Sequence, residues 1–126
     1  MKAFVISIIL LVVLCTFIGV HSYIMINLSD SIAERCNKTL ELVNSDSWDS
    51  VEQELDKISD IWDSRRMWAS LTINTSKIEQ IEISLNQSKA YAHLGQKSDF
   101  MGEFIMFSML VDHIPHEEGF HIEEIL

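Results

Sequence analysis

The chain has 126 residues, 48% of them hydrophobic, with nine Lys and Arg against 19 Asp and Glu for a formal net charge of −10. Lys2 is the only charge before Asp30, so the portion from Asn27 onward holds eight basic and 19 acidic residues, a net of −11. That balance excludes the basic face that nucleic acid requires and opposes adsorption to anionic lipid, while about a hundred residues outside the apolar segment suffice for one domain with a modest core.

From Ala3 to Val20 almost every side chain is apolar. A helix from Ala3 to Ile26 would be roughly 36 Å long at ~1.5 Å per residue, enough to cross a hydrocarbon core of about 30 Å. The run exceeds the roughly 7–15 residues of a secretory h-region. Small residues within Gly19-Val20-His21-Ser22 do permit a cut before Tyr23, but apolar character resumes at Tyr23-Ile24-Met25-Ile26, as an anchor requires. Cys15 follows Leu14 in mid-run and does not fit a lipoprotein signal. Residues 1–26 are therefore expected to be an uncleaved membrane anchor and residues 27–126 an outer domain. Lys2 on one side and Asp30 and Glu34 on the other orient the amino terminus inward, by the positive-inside rule. This gives a single-pass protein of the cytoplasmic membrane with its carboxy-terminal domain outside.

Beyond the anchor, Gly95, Gly102, Gly119 and Pro115 are the only breakers and no strand-like alternation occurs, which predicts an all-α domain. Met25, Leu28, Ile32, Cys36, Leu40 and Val43 recur at three- and four-residue steps, so the first outer helix is expected to continue the anchor. Asn44-Ser45-Asp46-Ser47 is a turn and cap cluster. Trp48, Val51, Leu55, Ile58, Trp62, Ala69 and Ile73 mark one face of a second helix. Asn74-Thr75-Ser76 ends it, and Ser76 with Glu79 matches a capping box for a third. That helix presents Ile78, Ile81, Leu85 and Ala92 until Gly95. Ser98 is the expected cap of a fourth, from Asp99 to about Ile114. Short connections make an up-down bundle of about four helices, with Leu55, Ile58, Trp62, Ile81, Leu85, Phe104 and Leu110 in its core.

The fourth helix is unlike the others. From Phe100 to Val111 its apolar residues wrap nearly all the way round, with Asp99, Glu103 and Asp112 as the main polar marks. It is too short to span a bilayer. A helix apolar on all sides is either the central element of the bundle or partly covered by another protein. Methionine-rich faces recur at adaptable docking surfaces, which makes Met101, Met106 and Met109 the candidate interaction residues.

The tail clusters Asp112, His113, His116, Glu117, Glu118 and His121. Imidazole with carboxylate is zinc-type ligand chemistry, so His113, His116, Glu117 and His121 are metal candidates. Pro115 and Gly119 break the helix that would converge them, and the spacing lacks the i, i+4 histidine pair of the helical zinc-protease motif. No metal site and no cofactor are expected; histidine charging amid carboxylates would instead serve a sensor. Trp48, Trp62 and Trp68 with Arg65 and Arg66 read as core tryptophans under arginine stems before a carbohydrate platform. Cys36 reads as a buried thiol, with an intermolecular disulfide as its alternative. Asn27, Asn37, Asn74 and Asn86 begin Asn-x-Ser/Thr sequons, which matter only in a glycosylating secretory pathway. No serine-histidine-acid motif, phosphate loop or nucleotide fingerprint occurs, so no enzyme is expected.

The short amino terminus before the anchor, the Trp62-xxxxx-Trp68 segment and the ending His113-x-x-His116-Glu117-x-Gly119-Phe120-x-Ile122-Glu-Glu-Ile125-Leu126 together resemble a family of short single-pass proteins of spore-forming Firmicutes catalogued only as a domain of unknown function. The resemblance implies a bacterial protein exposed outside the cytoplasmic membrane and supplies no activity. The leading expectation is a membrane-tethered accessory bundle that docks on a protein partner or on a second copy. A sensory or ligand-binding bundle using the tail cluster is the alternative, and a cleaved, secreted helical ligand the third.

Overall fold

The computed structural model describes residues 1–114. Four helices occur among them: α1 (Lys2–Asn44), α2 (Trp48–Ser70), α3 (Thr75–Leu94) and α4 (Lys97–Asp112), with no strand. Each packs on its chain neighbours and α4 closes the ring on α1, as short connections between antiparallel helices dictate. His113, on which part of the candidate metal cluster rests, directly follows α4; His116, Glu117 and His121 lie outside the described residues.

α1 has two parts with different surroundings. Its 43 residues make a rod of about 65 Å at 1.5 Å per residue. Residues 3–20 are exposed on every side, whereas from His21 onward one stripe is buried: Met25, Leu28, Ser29, Ile32, Cys36, Thr39 and Val43. The exposed part is long and apolar enough to cross a membrane, with a mean hydropathy of 3.0 over its 18-residue window. No helix break separates it from the bundle.

The turns explain where the helices stop. After α1, the amide of Ser47 donates to the Leu42 carbonyl at 3.0 Å and that of Asp46 to Val43 at 3.0 Å. This is the Schellman pattern, with Asp46 in the left-handed region at φ 56. The second such stop uses Gly95 at φ 67, with Gln96 N–H bonded to Tyr91 O at 3.0 Å. Two expected caps are corrected. Asn74, not Ser76, caps α3, its side chain accepting from the Ser76 amide at 3.0 Å. α4 starts at Lys97 instead of Asp99, because the chain leaving Gly95 bonds at once from Phe100 N to Gln96 O at 2.9 Å.

The core is the inner stripe of all four helices. Val51, Leu55, Ile58 and Trp62 of α2 face Ile78, Ile81, Leu85 and Ala92 of α3 across the interior they share with α1 and α4. α4 contributes Phe100, Phe104, Phe107 and Val111, whose rings stack at 5.0 Å (Phe100–Phe104) and 6.1 Å (Phe104–Phe107). Trp48 meets Phe100 edge-on at 5.7 Å. Leu110, expected inside, is only half-buried at the edge of the core, because the 4-3-4 spacing of the phenylalanines and Val111 sets the inward stripe one residue further on. In a four-helix ring no helix is central, so α4 is not wrapped on all sides as its composition suggested.

Buried polar groups satisfy themselves locally. Thr39 and Ser88 donate to the carbonyls four residues back at 2.7 Å each, and Ser29 to Val111 O at 3.3 Å, tying α4 to α1. Among the described residues no buried side-chain nitrogen or oxygen lacks a partner. Glu54 is the one buried carboxylate of this group, its side chain 5% exposed, held by Arg35 at 3.2 Å, Lys57 at 3.3 Å and Lys38 at 3.7 Å. Burial pushes its carboxyl up, but the hydrogen bonds from Lys57 and Arg35 and the charges of Lys57 and Lys38 outweigh it and leave it below the ordinary value of 4.5. A depressed folded-state pKa contributes stability that is present above the unfolded value and lost as pH falls through the folded one. Because the cations are substantially exposed, the contribution is screened to about 1 kcal/mol. Glu54→Gln should therefore unfold at lower urea than the parent at neutral pH, and the gap should close below the ordinary carboxylate value.

Candidate interaction surface

The outward face of α4 is built by the same periodicity that builds its inward one. With Phe100, Phe104, Phe107 and Val111 turned in, the 3.6-residue turn carries Gly102, Ile105, Met106 and Met109 to the opposite side. Ile105, Met106 and Met109 are 45%, 53% and 56% exposed. Gly102 has open space over its Cα, so the backbone itself is accessible there. Of the three methionines singled out in the sequence, Met106 and Met109 share this face. Met101 does not: it is half-buried and packs against the core. Ile105 belongs to the face and was missed, because a search guided by methionine overlooks an isoleucine at the same register. The result is a contiguous apolar strip on a helix whose other side is already in the core.

Among the described residues, the remaining candidates do not assemble into a site. Trp62 is in the core and its indole N–H reaches Glu82 at 3.5 Å. Trp48 and Trp68 are half-buried at opposite ends of α2, so the three form no common platform. Arg66 pairs with Glu82 and Arg65 is exposed. Cys36 is buried, and desolvation, opposed by a hydrogen bond with Ser108, pushes its thiol up to about 11. Burial and the raised value keep it protonated at neutral pH. Asn27, Asn37, Asn74 and Asn86 are all exposed. Among the described residues no three His, Cys, Asp or Glu side chains are grouped to hold a metal ion. His93 lies 3.1 Å from Glu52 beside a hollow also lined by Leu55, Asp56 and Lys89, an exposed surface contact.

The family model described as Domain of unknown function (DUF4363) covers residues 20–125. The chain belongs to this family. The matched region of DUF4363 begins at Val20, one residue before α1 first becomes buried at His21, so residues 1–19 of the apolar run lie outside it. No curated protein and no solved structure matches the chain. The DUF4363 bundle is therefore to be interpreted from its own surfaces.

Proposed function

We propose that this DUF4363 protein is a non-enzymatic interaction module, tethered by residues 1–26 to the cytoplasmic membrane of a bacterium and held outside it by the continuous α1 rod. The observation that carries the reading is the exposed strip of Ile105, Met106 and Met109 on the back of a core helix. Soluble monomers rarely leave contiguous large apolar side chains uncovered, and those that do use them for docking. Methionine suits such a surface because its unbranched, polarisable chain adapts to the facing shape. The occupant is a protein of matching apolar character in the same membrane, with a second copy of the chain as the simplest case. Tethering supports this, since confinement to a plane raises the encounter rate of two anchored proteins. Lys2 at the inner end and the resemblance to single-pass proteins of spore-forming Firmicutes support the orientation and the source.

Met106→Glu with Met109→Glu tests the reading. Both side chains point to solvent, so the variant should keep its helical content and unfold within about 0.5 kcal/mol of the parent. It should nevertheless lose the crosslinked dimer or the protein that co-purifies with the parent from detergent-solubilised host membranes. An unchanged complex would place the docking surface elsewhere.

A further inference from the structure

We infer that the last turn of α2 and the connection to α3, carrying Met67, Trp68 and Leu71, are seated in the outer headgroup layer of the bilayer that α1 spans, giving the bundle a second membrane contact. The inference rests on the membrane-anchor reading and adds to it where the domain sits. Three independent observations support it.

The first is depth. A hydrocarbon core of about 30 Å takes about 20 residues of helix, so a span that starts at Ala3 ends close to Ser22. Phe17 then lies some 7–8 Å beneath the outer edge, at ~1.5 Å per residue. The Trp68 ring is 6.0 Å from the Phe17 ring and 6.0 Å from that of His21. A ring nitrogen of His21 lies 2.7 Å from the Trp68 carbonyl oxygen, and side chains on a helix slant toward its amino terminus. The end of α2 is thereby fixed at the level where α1 leaves the membrane, with the indole beside the Phe17 and His21 rings.

The second is exposure. Met67 and Leu71, on either side of Trp68, are 77% and 57% exposed, an arrangement that contact with lipid would cover. Tyr23 of α1, also exposed, adds a second amphipathic ring near this level, where Trp and Tyr concentrate in membrane proteins. The headgroup layer, unlike the hydrocarbon core, tolerates the unpaired backbone of a turn.

The third is charge. Residues 64–78 carry Arg65, Arg66 and Lys77 and none of the chain's 19 acidic residues, although Arg66 is paired with Glu82 and Asp63 and Glu79 border the segment. In an outer portion so strongly acidic overall, this is the segment that phosphate headgroups attract and do not repel.

The test uses the full chain with Cys15→Ser, reconstituted into vesicles of phosphatidylcholine with a minority of phosphatidylglycerol. A nitroxide is attached at Leu71→Cys, at Val12→Cys within the anchor, or at Ser45→Cys at the far end of the bundle; buried Cys36 stays in place. Power saturation compares collisions with oxygen, which partitions into lipid, and with a water-soluble nickel chelate. The oxygen-to-nickel ratio at Leu71 should be several-fold above that at Ser45 and remain below that at Val12. A Leu71 ratio equal to that at Ser45, with Val12 still in lipid, would overturn the seated turn and leave the anchor standing. A nickel-accessible Val12 would overturn the anchor reading itself.

Discussion

Phe104→Ala should lower the unfolding free energy of the bundle by about 3–5 kcal/mol, measured by urea titration of the full chain in mild detergent. Phe104 is fully buried between Phe100 and Phe107 in a stack of three rings. Its removal deletes the middle of that stack and leaves a void bordered by rings that cannot close it without leaving their own contacts. Transfer and cavity terms both apply. Ile105→Ala, one residue along on the outward face, should cost a few tenths of a kcal/mol, within the range of surface changes. The contrast between adjacent positions tests the register of α4. Equal costs at 104 and 105 would mean that the helix is rotated or buried on both sides.

A comparable effect is expected at the other end of the molecule. Leu11→Arg with Val12→Arg places two charges at the centre of the apolar run, each costing about 2.5–3.5 kcal/mol of insertion free energy. Residues 3–20 are exposed throughout, with Phe17 beside Trp68, so among the described residues no buried polar partner stands ready to receive them. The double variant should move from the carbonate-resistant membrane fraction to the soluble one, while the bundle, whose burial begins at His21, keeps its helical spectrum. Retention in the membrane despite both charges would assign the attachment to another part of the chain.

Much of this architecture was legible in the sequence, for identifiable reasons. Apolar residues at three- and four-residue steps located the inner faces of α1, α2 and α3, since Met25, Leu28, Ile32, Val51, Leu55, Ile58, Ile78 and Ile81 are all buried. Gly95 and the polar cluster around Asp46 marked two turns because both positions need left-handed backbone or a short polar side chain. Other features left no such signal. Ser29, Thr39 and Ser88 are buried, but hydroxyls that bond a backbone carbonyl are invisible to an apolar pattern. The inward phase of α4 could not be chosen, because a helix apolar on both sides gives no contrast, and Leu110 was preferred to Val111 for that reason. The contact of Trp68 with Phe17 joins residues far apart in the chain and depends on the bend between α2 and α3. The α4 strip was half legible: Met106 and Met109 were identified by type, while Met101 and Ile105 were separated only by packing.

The claim on which the rest depends is that an α-helical anchor holds the DUF4363 bundle outside the membrane. Labelling of Ser45→Cys in intact cells of the native host with a membrane-impermeant maleimide measures it directly. Ser45 is exposed in the turn at the end of α1 most distant from the anchor, and Cys36 is buried with its thiol held protonated, so background is low. The expected result is full modification before lysis, on a chain that remains in the membrane fraction after carbonate washing. Modification only after lysis, or a chain beginning at Tyr23 in the culture medium, would contradict it.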